Sequence, residues 1–276
     1  MDASSTTFAP DLTKDSYTFE NLAEFERKSS DEVTGREYSG RVYWTEILYR
    51  AHMASVASVF RATRWVNVAI REYEAGSLYG CASACRSLIE SAGDITHSLG
   101  PVPHTLARIK DAVMAEISGK GGEVVILSAD LEDSLTHFTH ARKVAKTETA
   151  PESHKAKPSV QYIDQVNRMQ IAGVKTFYAK LCEIVHPAAD SVAVTFVPHD
   201  GAWLVDPCNE KRVLEAMIAE RRDTLKGLLM ASYNAPLLIL RVLHAFGIFT
   251  KLSGLRKYRF DEIPEWKKIK TALRSG

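Results

Sequence analysis

The chain has 276 residues, enough for one large domain or two small ones with a real buried core. Hydrophobic residues make up 45% and charged residues 25%, which excludes a mainly disordered, collagen-like or low-complexity protein. The formal charge is only +1, so no global field draws the chain to nucleic acid or membrane, and any such partner must be held by a local patch.

Residues 1 to 37 are polar, with Ser/Thr/Asp clusters, and read as a weakly ordered arm with no signal-peptide pattern. Residues 38–250 read as a helical bundle. Its first long helix covers Val42 to Tyr73, where Leu48, Val56, Val59, Phe60, Val66 and Ile70 repeat at helical spacing. Gly76 and Ser77 end it, and a second helix runs from Leu78 to Leu99, stopped by Gly100-Pro101. Pro101 to Pro103 reads as a turn. Two weaker helices over 104–117 and 128–146 flank Gly119, Gly121 and Gly122, and residues 147–158 (TETAPESHKAKP) read as a mobile linker.

A further helix is expected over Val160 to His186, ended by Pro187. Val192 to Val197 alternates as a strand, His199-Asp200-Gly201 is a turn signal, and Ala202 to Val205 is a return strand. Asp206-Pro207 then opens a last long helix reaching Phe249, with a bend at Pro236. The fold class predicted is mainly all-α, an antiparallel helical bundle with one small β-hairpin near 192–205, followed by a basic C-terminal segment, 251–276. The most apolar stretch, Pro236 to Phe249, is about 14 residues and too short to span a bilayer, so it reads as core or a helical dimer seam. The expected setting is the cytosol, away from membranes.

Chemistry-bearing side chains gather in two places. On the helix from Leu78, an apolar stripe (Leu78, Cys81, Cys85, Leu88, Ile89, Ala92, Ile95, Leu99) faces one way, with Cys81 and Cys85 as buried thiols. Arg86, Glu90 and His97 fall within about 40° of one another on the other side. Small residues surround that row, Gly80, Ser83, Ala84, Ser87 and Ser91 among them, which suits close approach by another helix or the floor of a cleft. The plain alternative is a surface Arg–Glu pair at i, i+4. On the later helix, Tyr178, Cys182 and His186 share one flank, and His186 stands at the helix end, either as a cap favoured as imidazolium by the dipole or as a general acid or base.

These two segments, reading ACRSLIESAGD and YAKLCEIVHP, resemble bacterial HEPN-like all-helical proteins over roughly residues 45 to 190. The resemblance implies metal-independent ribonucleases of toxin or phage-defence systems, in which Arg and His of an R-x(4–6)-H motif meet across a homodimer. The strict motif is not matched, because the residue six before His186 is Lys180, which lacks the planar fork of arginine. Carried onto this chain, the resemblance gives Arg86, Glu90 and His186 catalytic roles: Arg86 on the phosphate, Glu90 orienting it, His186 moving the proton. His97, Tyr178 and Lys180 would bind substrate. No cofactor or metal is expected.

Elsewhere, Asp133, His137 and His140 have a spacing that could hold a metal but lack further partners, and the glycines at 119–122 lack the strand–loop–helix setting of a phosphate cradle. Arg256, Lys257, Lys267 and Lys268, interleaved with Tyr258, Phe260 and Trp266, could grip a nucleic-acid backbone and stack bases. The leading expectation is thus a HEPN-like homodimer that acts on or binds RNA, with a metal-independent endoribonuclease as its enzymatic form. The alternatives are a non-catalytic nucleotide-sensing or protein-interaction subunit of a defence or toxin–antitoxin complex, and an orphan structural subunit.

Overall fold

A computed structural model of the chain describes residues 32–247 and 259–275. The fold is mainly helical with a single two-stranded antiparallel sheet among the described residues. Helix α1 spans Glu32–Glu74 and so begins inside what the composition read as an arm. Gly76 (φ +72°) reverses the chain, and Ser77 caps α2 (Leu78–Ser98), its Oγ accepting the Gly80 N–H at 3.3 Å.

The chain divides into two compact units. The first comprises residues up to Ala57, Ser98–Ala156 and those from Ala235 onward; the second comprises Ser58–His97 and Lys157–Asn234.

In the first unit the Pro101–Pro103 segment is not a turn: it opens helix α3 (Val102–Arg108), because proline is tolerated in a first turn whose N–H groups lack partners. A break at Ile109 separates α3 from α4 (Lys110–Ile117), where one helix was expected. Helix α5 covers Ala129–His140 and stops short of residue 146. The segment after it holds a 3-10 turn (Glu152–His154) and pairs back on itself: Arg142 donates its N–H to His154 O and accepts from Ala156 N–H. The loop before α5 is strapped to α1. Arg36 donates to Glu116 Oε1 (2.9 Å) and to Val124 O, Glu116 also accepts the Ile126 N–H, and Trp44 Nε1 donates to Ile126 O. The C-terminal helix α11 (Pro264–Ser275) packs on α3 through buried Trp266 and Ile269.

In the second unit the helix expected over Val160–His186 is two: α6 (Ser159–Arg168) and α7 (Val174–Val185). Gln170 (φ +59°) and Gly173 (φ +73°) take left-handed conformations between them, and Thr224 Oγ holds the turn by donating to Ala172 O. After Pro187 the segment expected as strand begins as a short helix, α8 (Ala189–Ala193), because Ser191 Oγ bonds both the N–H and the C=O of Ala188 and closes a turn. The hairpin itself is β1 (Phe196–His199) and β2 (Ala202–Val205), in register Phe196–Val205 and Pro198–Trp203. Asp200 and Gly201 both have positive φ, the turn geometry that matches strand twist. Trp203 stands 71% exposed on this hairpin.

The final long helix is also interrupted, at Arg221 between α9 (Asn209–Glu220) and α10 (Arg222–His244), while Pro236 lies inside an unbroken α10. Among the described residues, α10 is the one helix long and apolar enough to cross a membrane by length and composition, longer than the 14-residue stretch suggested; 56% of its most apolar window is buried inside the protein. The core of the second unit joins Leu78, Cys85 and Ile89 of α2, Phe177 and Leu181 of α7, and Leu214 and Leu228.

Candidate functional site: the Arg86, Glu90, Tyr178 and His186 cluster

The apolar stripe of α2 faces the core as its spacing requires, which turns Arg86 and Glu90 toward the flank of α7. Pro187 disfavours helical backbone at the residue before it, and His186 accordingly leaves the helix in an extended conformation (ψ 158°). Its ring lies against Arg86: Nη1 of Arg86 is 3.1 Å from Nε2 of His186. Both residues belong to one unit of one chain.

A guanidinium has only donors. Nε2 of His186 is therefore the acceptor in this contact.

Glu90 is the hub. Its Oε1 accepts Nε–H of Arg86 at 3.2 Å and the phenol of Tyr178 at 2.6 Å. The Arg86 guanidinium also lies over the Tyr178 ring, 5.7 Å from its centroid. Burial and then the Glu90 carboxylate push the Tyr178 phenol up to about 12, only partly offset by Arg86, so the group stays a donor throughout the ordinary pH range. Arg86, Glu90 and Tyr178 are half-buried and His186 is exposed. The cluster thus presents a guanidinium fixed on two sides and an imidazole open to solvent.

Two residues expected beside it stand elsewhere. His97 is eleven positions along α2 from Arg86, about 16 Å by helical rise, and meets Tyr162 edge-on, the ring centroids 6.2 Å apart. Lys180 pairs with Asp190 of α8 and, at 3.8 Å, with Glu183. Asp190 is the partner that sequence spacing could not supply, because it lies beyond Pro187 on another element. Tyr178 contacts Glu90 and Arg86 and so positions the guanidinium. The small-residue face does admit a neighbour: a Cβ at Gly93 would stand 2.4 Å from the Tyr162 carbonyl oxygen of α6. Sequence reasoning missed a second ion pair on this side, Arg61 with Asp94 at 2.7 Å. An exposed depression of about 510 Å³ lies along α1, lined by Arg64, Asn67, Val68, Ile70 and Arg71, and takes none of the Arg86 cluster.

Of the C-terminal basic set, Arg256 and Lys257 lie outside the described residues, as does Tyr258. Lys267 and Lys268 are exposed on α11, Lys268 bonded to Glu265. Phe260 and Trp266 are not available to stack bases: both are buried, with Arg241 held 5.9 and 5.6 Å from their ring centroids. His137 is buried, and His140 faces His154 with ring centroids 5.8 Å apart. Among the described residues no group of three or more His, Cys, Asp or Glu is arranged to hold a metal ion.

Comparison with protein-family models, with curated proteins and with solved structures finds no match to this chain.

Proposed function

We propose that this protein is a HEPN-like endoribonuclease acting in a toxin or phage-defence setting in the cytosol, with Arg86, Glu90 and His186 as its working residues. The observation that carries this reading is the 3.1 Å approach of Arg86 Nη1 to His186 Nε2, a cation and a proton acceptor side by side on an open surface. RNA cleavage without an outside nucleophile needs those two groups. His186 Nε2 takes the 2′-hydroxyl proton, the 2′-oxygen bonds to phosphorus, and the bond to the 5′-oxygen breaks, the departing oxygen taking a proton from water, which leaves a 2′,3′-cyclic phosphate and a 5′-hydroxyl end. Arg86 neutralises the charge that grows on the phosphoryl oxygens, and Glu90 with Tyr178 keeps the guanidinium aimed. A homodimer, as the resemblance implies, would carry one complete Arg86–His186 pair in each copy.

The test is cleavage of a mixed RNA pool, transfer RNAs included, by the purified protein in EDTA beside Arg86→Ala and His186→Ala. Cutting by the parent and loss of cutting in both variants is expected. A folded parent that binds nucleotides at Arg86 without cutting would instead make this a sensing or interaction subunit.

A further inference from the structure

In this structure the lone pair of His186 that a general base would use is already occupied. Arg86 donates to it, and Arg86 in turn is held by Glu90 on its Nε side. The Nη1 contact is the exposed one, because His186 is open to solvent while Glu90 also binds the Tyr178 phenol. An oxyanion arriving from solvent competes with His186 for Nη1–H and brings an opposite charge and a second oxygen for a bidentate grip, which a ring nitrogen does not offer.

We propose that oxyanion binding at Arg86 uncaps His186, so that the site takes up a proton from solvent together with a phosphate-like ligand. This deepens the ribonuclease reading of the same site and rests on it for the identity of the ligand, but the coupling itself is a property of the contact. The Arg86 Nη1–H bond to Nε2 breaks, Nη1–H passes to the anion, and Nε2 gains a proton from water and donates it to a second anion oxygen. When the ligand is a phosphodiester with a 2′-hydroxyl, that hydroxyl takes the place of the solvent proton at Nε2. Around the contact stand Arg86 and Glu90 of α2 and, on α7, Tyr178 and Cys182, while Lys180 is paired with Asp190 of α8.

The experiment is calorimetric titration of the full chain with sulfate, whose charge is constant over the range, at pH 6 and pH 8 and in two buffers of different ionisation enthalpy. Affinity about tenfold tighter at pH 6 than at pH 8 is expected, with net proton uptake on sulfate binding. His186→Gln keeps an acceptor for Arg86 but cannot take the proton, and should bind sulfate equally at both pH values; far-ultraviolet circular dichroism checks that it folds. Displacement of sulfate by a 2′-deoxyoligonucleotide assigns the anion to a phosphodiester chain, and displacement by a mononucleotide alone assigns it to a terminal phosphate; both support the site. No sulfate binding, equal affinity in the parent at both pH values, or a pH dependence that survives in His186→Gln overturns the coupling. RNA cleavage with pH-independent sulfate binding would sink the coupling and leave the ribonuclease. Coupled binding without cleavage would do the reverse.

Discussion

Tyr178 shows how a residue's surroundings set its job. Its phenol is pushed up to about 12 by burial and by the Glu90 carboxylate, against an unfolded value near 10. A raised folded value means the folded state holds its proton longer. The stabilisation is therefore complete below about pH 10 and is lost as the pH rises from about 10 to about 12. In an ultraviolet titration of the ten tyrosines, one is expected to ionise near the top of the range, and Tyr178→Phe should remove that late step while lowering stability by about 1 kcal/mol. An unchanged titration would mean that the bond to Glu90 is absent in solution.

The thiols make a second test at this scale. Cys81 and Cys85 are buried, as their place on the apolar stripe predicts, and the neighbouring Cys81 sulfur together with burial raises Cys85 far above the ordinary thiol range. Cys208 is exposed and Cys182 partly so. A disulfide-exchange reagent should modify Cys208 first and reach Cys85 only on unfolding, as mass mapping of a time course would reveal.

At the scale of elements, the helices with strong stripes were legible and the breaks between them were less so. Helix α2 begins at Leu78, as the apolar spacing predicts, and ends within one residue of the expected Leu99. The division of α6 from α7 had a trace in the sequence: Gly173 stands directly before the second helix. What the sequence does not display is the packing that fixes the break, with Thr224 on the Ala172 carbonyl and Ile171 set where a Cβ on Gly227 would approach to 2.9 Å. Aromatic residues among the C-terminal lysines looked like a base-stacking surface for a similar reason. The residue that claims them, Arg241, is distant in the chain. For the site, the rows Arg86/Glu90 and Tyr178/His186 followed from helical period, but their meeting and the diversion of Lys180 to Asp190 depend on tertiary placement.

Two substitutions test the packing of elements. Gly93→Ala puts a methyl against the Tyr162 backbone, which cannot move as a flexible side chain would, and should cost about 1–3 kcal/mol in denaturant unfolding. Glu116 has a side chain wholly out of solvent and tied to Arg36 and the Ile126 N–H. Glu116→Ala leaves a largely buried guanidinium without its counter-charge and should cost about 3–5 kcal/mol, with faster hydrogen exchange along the loop that precedes α5. Ordinary stability in either variant would contradict the contacts described.

For the whole molecule, the telling point is that Arg86 and His186 meet within one chain. In the proteins this chain resembles, Arg and His of the motif meet across a homodimer, and a mixed assembly separates that case from a pair within each copy. Arg86→Ala and His186→Ala chains, mixed after unfolding and refolding, should show no recovery of ribonuclease activity if each copy holds its own pair. Recovery of about a quarter of parental activity would place the working pair across two chains.

The hairpin supplies an optical handle on this protein. Of the four tryptophans, Trp44 and Trp266 are buried and Trp65 is half-buried, while Trp203 stands in solvent. Emission should therefore contain one red-shifted, iodide-quenchable component from the strand pair between α8 and α9 and a blue, protected remainder. Anything that settles on that hairpin would be seen as a loss of quenching, without a label.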